Sequence, residues 1–267
     1  MKYHTRFAVY FSQNVGERTE QQDTYGVSPP TLMESKGLLA VVADGMGGMV
    51  NGALYSQLAV QTMQQQFQTA PVMEDGAAQL LDAYRAAQEE ILRNQKAENE
   101  GGSTVVAVLI RRNQCYFLSS GDSRIYLLRR GKLLQLNREQ TLGPLLDERA
   151  ALHFISQEEA DNNILRTALY NHLGLAPPKA PDRNLTPFRL LPWDRLALMT
   201  DGVFGTLDLP ELSQGLCTPT GTTANTLINA VMARQKPRQD NCTVLIIDSV
   251  PRKYEKRKGV YVTNASN

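Results

Sequence analysis

The sequence predicts an α+β fold in which antiparallel sheets pack against helices. Three observations predict it. Short strand-like apolar runs dominate the chain. Several of them are joined by tight turn signals and not by helices. Clear helical periodicity is confined to three stretches, two of them side by side. Alternating βαβ units, which would build a Rossmann-type parallel sheet, are not seen.

Residues 3–12 alternate imperfectly between apolar and polar and are expected as a first strand. Residues 37–43 (GLLAVVA) form a continuous apolar run, expected as a strand buried on both faces. Leu54, Leu58, Met63 and Phe67 then recur roughly once per helical turn. Ala77, Leu80, Leu81, Tyr84, Ala87 and Ile91 follow a tighter helical pattern. Residues 104–110 and 115–119 flank Arg111-Arg112-Asn113-Gln114, a hairpin signal. Residues 124–128 and 132–136 flank a second, Arg129-Arg130-Gly131. Residues 176–187 carry four prolines and are expected as a surface loop. Residues 195–199 and 243–247 are further strands. Between them Ala224, Leu227, Ile228 and Val231 mark a third helix, with Thr222 or Thr223 as its N-cap. The tail after Val250 is first basic and then polar, and is expected to be a solvated end with one edge strand at 260–262. An anionic docking patch is the less favoured reading of that tail.

The 267 residues allow one large domain or two small ones. Lys and Arg total 28 and Asp and Glu 27, a net charge of +1. That balance argues against general attraction to nucleic acid or anionic lipid. No apolar run reaches the roughly 18 residues of a membrane span. Residues 1–13 lack a signal-peptide core, so a cytoplasmic protein is expected. Cys115, Cys217 and Cys242 are far apart, which suggests neither a disulfide framework nor a cysteine zinc site. Cys115 and Cys242 are expected as small buried hydrophobes. His4, His153 and His172 form no metal or nucleophile motif.

Four aspartates share one setting. Asp44-Gly45 follows LLAVVA, and Asp201-Gly202 follows RLALMT. Gly121-Asp122 lies between two strand runs, and Asp240-Asn241 precedes CTVLII. Any one such pair is more often a plain turn. If the strand ends lie together, the carboxylates converge and repel one another unless cations neutralise them. Hard divalent ions with oxygen ligands, Mg²⁺ or Mn²⁺, suit such a cluster. Three glycines within residues 44–48 (DGMGG) imply a close approach to the backbone, yet no phosphate-loop pattern is present.

Together these segments resemble the bacterial type 2C (PPM) metal-dependent Ser/Thr protein phosphatases. Arg18-x-x-Gln21-Gln22-Asp23 resembles RxxNED, and residues 42–48 match VADGMGG. Gly102-Ser103-Thr104 resembles the GTT/GST element, and residues 121–126 match GDSRxY. Thr200-Asp201-Gly202-Val203 resembles SDGL, and Asp240-Asn241-Cys242-Thr243 resembles DNxT. Six motifs in the family's order span Arg18 to Thr243.

The resemblance implies a four-layer αββα sandwich, with two metal ions at one end. It places Asp44 as the bridge between the metals and the Gly45 carbonyl on one of them. Asp201 and Asp240 would ligate the other, Asp23 would support the site through water, and Asp122 would help hold a third, weaker metal. Arg18 falls at the phosphate-binding arginine; its plain alternative is a surface charge on a loop. The implied reaction is hydrolysis of phosphoserine and phosphothreonine by direct attack of a metal-bridged hydroxide. The resemblance also implies phosphoprotein substrates and a Hanks-type Ser/Thr kinase as counterpart; from the charge balance and the lack of a membrane span no nucleic-acid or membrane partner is expected, and a monomer is expected. The expected organisation is one catalytic domain at 1–250, with a flap-like segment near 137–163 and a tail at 251–267. No appended regulatory domain is expected.

The sequence departs from the pattern at several points. Gln22 replaces the Glu of NED, Met49 stands where a His is common, and Ala53 stands where a Glu usually follows Gly52. Met46 takes the place of a histidine found in eukaryotic members. The flap pattern LTxDHS is reduced to Leu136-Asn137-Arg138-Glu139-Gln140-Thr141. Residues 163–169 (NILRTAL) resemble the family's NxLTRALG run; here they are expected as a plain helix with Ile164, Leu165 and Ala168 inward. Gln22, Met49 and Ala53 motivate an alternative, a catalytically weak or inactive pseudo-phosphatase that binds a kinase or other partner. A third reading, a nuclease or small-phosphoester hydrolase, has no basic groove in its favour.

Overall fold

A strand whose residues are all apolar needs a hydrophobic partner on each face, and this requirement sets the layers. The computed structural model describes residues 5–46, 51–95, 101–251 and 262–264. Its strands are β1 (Thr5–Asn14), β2 (Asp23–Val27), β3 (Leu38–Met46), β4 (Gly102–Ser103), β5 (Val105–Arg111), β6 (Gln114–Ser120) and β7 (Arg124–Arg129). They continue with β8 (Lys132–Gln135), β9 (Asp182–Arg183), β10 (Phe188–Arg189), β11 (Arg195–Met199), β12 (Cys242–Pro251) and β13 (Val262–Asn264). The helices are α1 (Gly52–Thr69), α2 (Gly76–Asn94), α3 (Leu142–Ala151), α4 (Gln157–Asp161), α5 (Asp201–Phe204), α6 (Leu209–Leu216) and α7 (Thr223–Ala233).

One sheet runs β13-β1-β12-β11-β7-β8, and the other runs β10-β6-β5-β3-β2 with β4 and β9 attached. Pairing is antiparallel apart from β13 beside β1. Successive side chains of a strand face opposite ways. In β3, Leu38, Ala40 and Val42 therefore join Val106, Val108 and Ile110 between the sheets, where they meet Leu196, Leu198, Leu245 and Ile247. Leu39, Val41 and Ala43 face outward onto Tyr55, Met63, Leu80 and Ile91 of α1 and α2. On the other side Ala197, Met199, Val244 and Ile246 pack on Leu212, Leu216, Leu227 and Val231 of α6 and α7. The four layers are thus helix, sheet, sheet, helix, as expected.

Both hairpin signals form two-residue turns. Arg112 and Asn113 have φ of 49° and 72°, and Arg130 and Gly131 have 52° and 75°. That left-handed geometry matches the twist of the flanking strands. Cys115 and Cys242 are buried free thiols, as expected, and Cys217 is exposed. The proline-rich loop contributes the short strand β9 to the edge of β6.

Three expectations need correction. The inward face of α1 is Tyr55, Ala59, Met63 and Phe67, while Leu54 is 41% exposed and Leu58 only partly buried. Met63 and Phe67 are buried as the periodicity predicts, but the stripe continues through Tyr55 and Ala59 and not through Leu54 and Leu58. Residues 163–169 are not a helix, and Ile164 and Leu165 are 93% and 55% exposed. The Asn163 side chain accepts from the Leu165 N–H at 2.9 Å, an Asx-turn that competes with helix formation. The Arg166 and Ala168 carbonyls instead accept from Gly143 and Leu142, the first N–H groups of α3. Thr222 sits at the N-cap of α7, but its hydroxyl donates back to Pro219 and caps nothing. Residues 252–261, most of the basic tail, lie outside the described residues, and the edge strand is at Val262–Asn264, with Val260 and Tyr261 outside as well. Among the described residues no helix is long and apolar enough to cross a membrane.

Candidate active site

Antiparallel topology brings several strand ends to one edge of the sandwich. Asp44 near the end of β3 pairs across the sheet with Asp23 at the start of β2. Asp122 lies between β6 and β7, Asp201 follows β11, and Asp240 precedes β12. The five aspartates thereby meet. Burial raises the Asp44 carboxyl well above the ordinary range, and Asp23, Asp201, Asp122 and Asp240 push it further. Burial pushes Asp23 up to about 7, against the pull of two threonine hydroxyls. Asp122 is also pushed up to about 7, by burial and then by Asp201. Asp201 is raised by burial and then by Asp240.

The backbone of Asp44 is clamped. Its N–H donates to Thr104 Oγ1 at 3.2 Å, and its carbonyl accepts from Ser103 Oγ at 2.9 Å and Thr104 N at 2.8 Å. Thr104 Oγ1 is 2.7 Å from Ser123 Oγ, which links this clamp to the Asp122 turn. Gly121 makes that turn with φ of 103°, and a Cβ there would meet Thr104 Cβ at 2.7 Å. At Gly45 a Cβ would lie 1.9 Å from the Gly52 carbonyl oxygen, so only glycine fits where β3 approaches α1.

Asp23 is 4% exposed and ties the two sheets together. Its Oδ2 accepts from Thr200 Oγ1 at 2.8 Å and Thr243 Oγ1 at 2.7 Å. Its Oδ1 is buried without a partner, as is Asp201 Oδ1. Unpaired buried carboxylate oxygens are costly. Together with an all-oxygen donor set and mutually raised carboxyls, they fit hard divalent cations. Among the described residues no three acidic, histidine or cysteine side chains already enclose one ion position. The carboxylates are gathered without being drawn onto one point.

Arg18 lies at the rim, half exposed, with Nη2 2.7 Å from Asp240 Oδ2. Gln22 is held by its backbone: its N–H donates to Asn241 Oδ1 at 2.7 Å, and its carbonyl accepts from Gly45 at 3.1 Å. Its side chain reaches Glu20 at 3.4 Å. Ala53 lies in the first turn of α1, and Met46 ends β3 opposite Gly102. Gly47, Gly48 and Met49 lie outside the described residues.

A sequence profile described as Protein phosphatase 2C matches residues 14–244. The chain belongs to the protein phosphatase 2C family. It is a protein phosphatase, and its aspartate-lined edge is the candidate active site. The phosphatase is 27% identical to the serine/threonine phosphatase Stp of Listeria monocytogenes over 216 residues, 79% of this chain and 84% of that protein. It is 29% identical to the serine/threonine protein phosphatase PstP of Mycobacterium tuberculosis over 221 residues, 81% of this chain and 41% of that protein. A solved structure of the PstP catalytic domain in complex with two manganese ions superposes with a TM-score of 0.72 at 28% identity, covering 92% of this chain and 98% of that one.

Ser103, Thr104, Thr200, Asn241 and Thr243 contact or position the acids, and reasoning from sequence assigned them no role. The available signal was a hydroxyl or amide residue beside a strand-end aspartate in GST, TDG and DNCT.

Proposed function

We propose that the protein hydrolyses phosphoserine and phosphothreonine in proteins at the aspartate-lined edge. The gathering of Asp23, Asp44, Asp122, Asp201 and Asp240 around unpaired buried carboxylate oxygens carries this reading. The similarity to phosphatases named for serine and threonine supports the substrate class.

Asp44, the Gly45 carbonyl, Asp201 and Asp240 would hold two Mn²⁺ or Mg²⁺ ions, with Asp23 acting through water and Asp122 at a third, weaker position. When bound, such ions supply Lewis acidity: they neutralise developing charge and make a water nucleophilic near neutral pH. The chain's own groups do the rest. The clamp from Ser103 and Thr104 fixes the Asp44 peptide, so its carboxylate is oriented before ligands arrive. Thr200 and Thr243 orient Asp23. Arg18 offers a planar guanidinium suited to two phosphate oxygens, and it leaves Asp240 to do so. The catalytic unit is residues 1–250, working as a monomer on proteins phosphorylated by a Ser/Thr kinase, with residues 137–163 flanking the approach.

Phosphate release from phosphothreonine, phosphoserine and phosphotyrosine peptides and from ATP, each with Mn²⁺, tests this reading. Preferential turnover of the phosphothreonine and phosphoserine peptides is expected. Preference for ATP, or no turnover of any peptide, would overturn it.

A further inference from the structure

Arg18 sits on a segment with little hydrogen bonding of its own. Between β1 and β2, the one backbone–backbone hydrogen bond internal to the segment runs from Arg18 N to the Val15 carbonyl, at a long 3.4 Å. Something outside the segment must therefore set its shape. Asn241 is 4% exposed and spends its whole side chain on it. Its Oδ1 accepts from the Gln22 N–H at 2.7 Å, and its Nδ2 donates to the Val15 carbonyl at 2.8 Å and the Glu20 carbonyl at 3.0 Å. These bonds grip the segment on both sides of Arg18. One acceptor and two donors in one short planar group is the signature of an asparagine amide. Aspartate would set its oxygens against two carbonyls, and alanine would leave all three groups unmet.

The same residue also holds the partner of Arg18. The Asn241 backbone N–H donates to Asp240 Oδ1 at 2.9 Å, while Asp240 Oδ2 takes the Arg18 ion pair. Neighbouring contacts reinforce the docking. Glu17 N–H donates to the Gln239 carbonyl at 2.9 Å, and Glu17 Oε2 accepts from Arg238 N at 2.7 Å. A Cβ at Gly16 would lie 2.5 Å from the carbonyl oxygens of Gln239 and Asp240.

We propose that Asn241 is a positioning residue for the phosphatase reaction: its side chain fixes Arg18 and its backbone fixes Asp240, setting the guanidinium against the substrate phosphate. This rests on the phosphate-binding reading of Arg18. A residue that only stabilised the fold would lower the melting temperature without acting through Arg18.

A double-mutant cycle on the Mn²⁺-loaded full chain separates these roles, with KM and kcat for a phosphothreonine peptide as readouts. Asn241→Ala in the wild-type background is expected to raise KM by about tenfold, with a smaller change in kcat. In the Arg18→Ala background the same change is expected to move KM by less than about twofold, because the group being positioned is gone. Independent, multiplicative effects on KM would overturn the proposal, as would a wild-type KM in a destabilised Asn241→Ala protein. If Arg18→Ala alone leaves KM unchanged, the phosphate reading of Arg18 fails in its own arm and the proposal falls with it. Asn241→Ser, smaller and still polar, takes the same place in the cycle if the alanine variant does not fold.

Discussion

Asp23→Asn is expected to make stability respond differently to pH. The Asp23 carboxyl has an ordinary value of 3.8 and is pushed up to about 7 in the fold, chiefly by burial. Between those values the folded protein holds a proton that the unfolded chain has released. The contribution of this group to stability is therefore full below pH 3.8 and is lost as pH rises to about 7. The slope is about 1.4 kcal/mol per pH unit, and about 4 kcal/mol accumulates across the window. Asp44 and Asp201 share the titration, so about 4 kcal/mol is a ceiling. Asparagine keeps an oxygen for Thr200 and Thr243 to donate to, but it has no proton to lose. Any fixed cost of the amide is independent of pH and drops out of the comparison. For a domain of this size the stability difference corresponds to about 8–16 °C in melting temperature across the window. The assay is thermal unfolding of wild type and Asp23→Asn in chelator from pH 4.5 to 8. The variant should gain on wild type steadily as pH rises, and Mn²⁺ should shrink that gain. Parallel curves would refute the claim that Asp23 is a carboxyl strained by burial.

Other expectations follow from the same contacts. On the proposed phosphate-binding role, Arg18→Ala should raise KM for a phosphopeptide by about tenfold with a smaller fall in kcat; steady-state kinetics checks it. Asp122→Asn should keep most of the maximal rate but require more Mn²⁺ to reach it, which a Mn²⁺ titration of turnover reads. Asp248→Ala, at the far end of β12, strands the buried Arg195 guanidinium whose Nε lies 2.5 Å from Asp248 Oδ1. It should cost about 3–5 kcal/mol of stability while leaving kcat/KM of the Mn²⁺-loaded enzyme near wild type; denaturant melts and kinetics check both.

The layers were legible because β3, β5, β11 and β12 are short runs apolar on both faces and bounded by turn signals, the pattern of a strand covered twice. Asp44, Asp201 and Asp240 were legible because each lies at an end of such a strand, and Asp122 because it lies between two strand runs, while Asp23, at the start of the half-buried β2, was reached only through the family resemblance. The phase of α1 was not, because its buried stripe mixes alanine and tyrosine with two large hydrophobes among many glutamines. Ile164 misleads because an apolar side chain on the surface gives the same sequence signal as one in a core. The supports of the site were hidden for another reason. Thr243 meets Asp23 across 220 positions, and Asn241 meets Gln22 across 219, so sequence neighbourhood carries no trace of either contact.

The metal-dependent centre is tested most directly by a Mn²⁺ titration of the chelator-stripped protein, followed in parallel by calorimetry and by phosphate release from a phosphothreonine peptide. Turnover should be absent without metal and rise in step with the binding of two ions, and Asp44→Ala should lose both. Turnover in the presence of chelator, or metal binding undiminished in Asp44→Ala, would contradict the assignment of this edge as the catalytic centre.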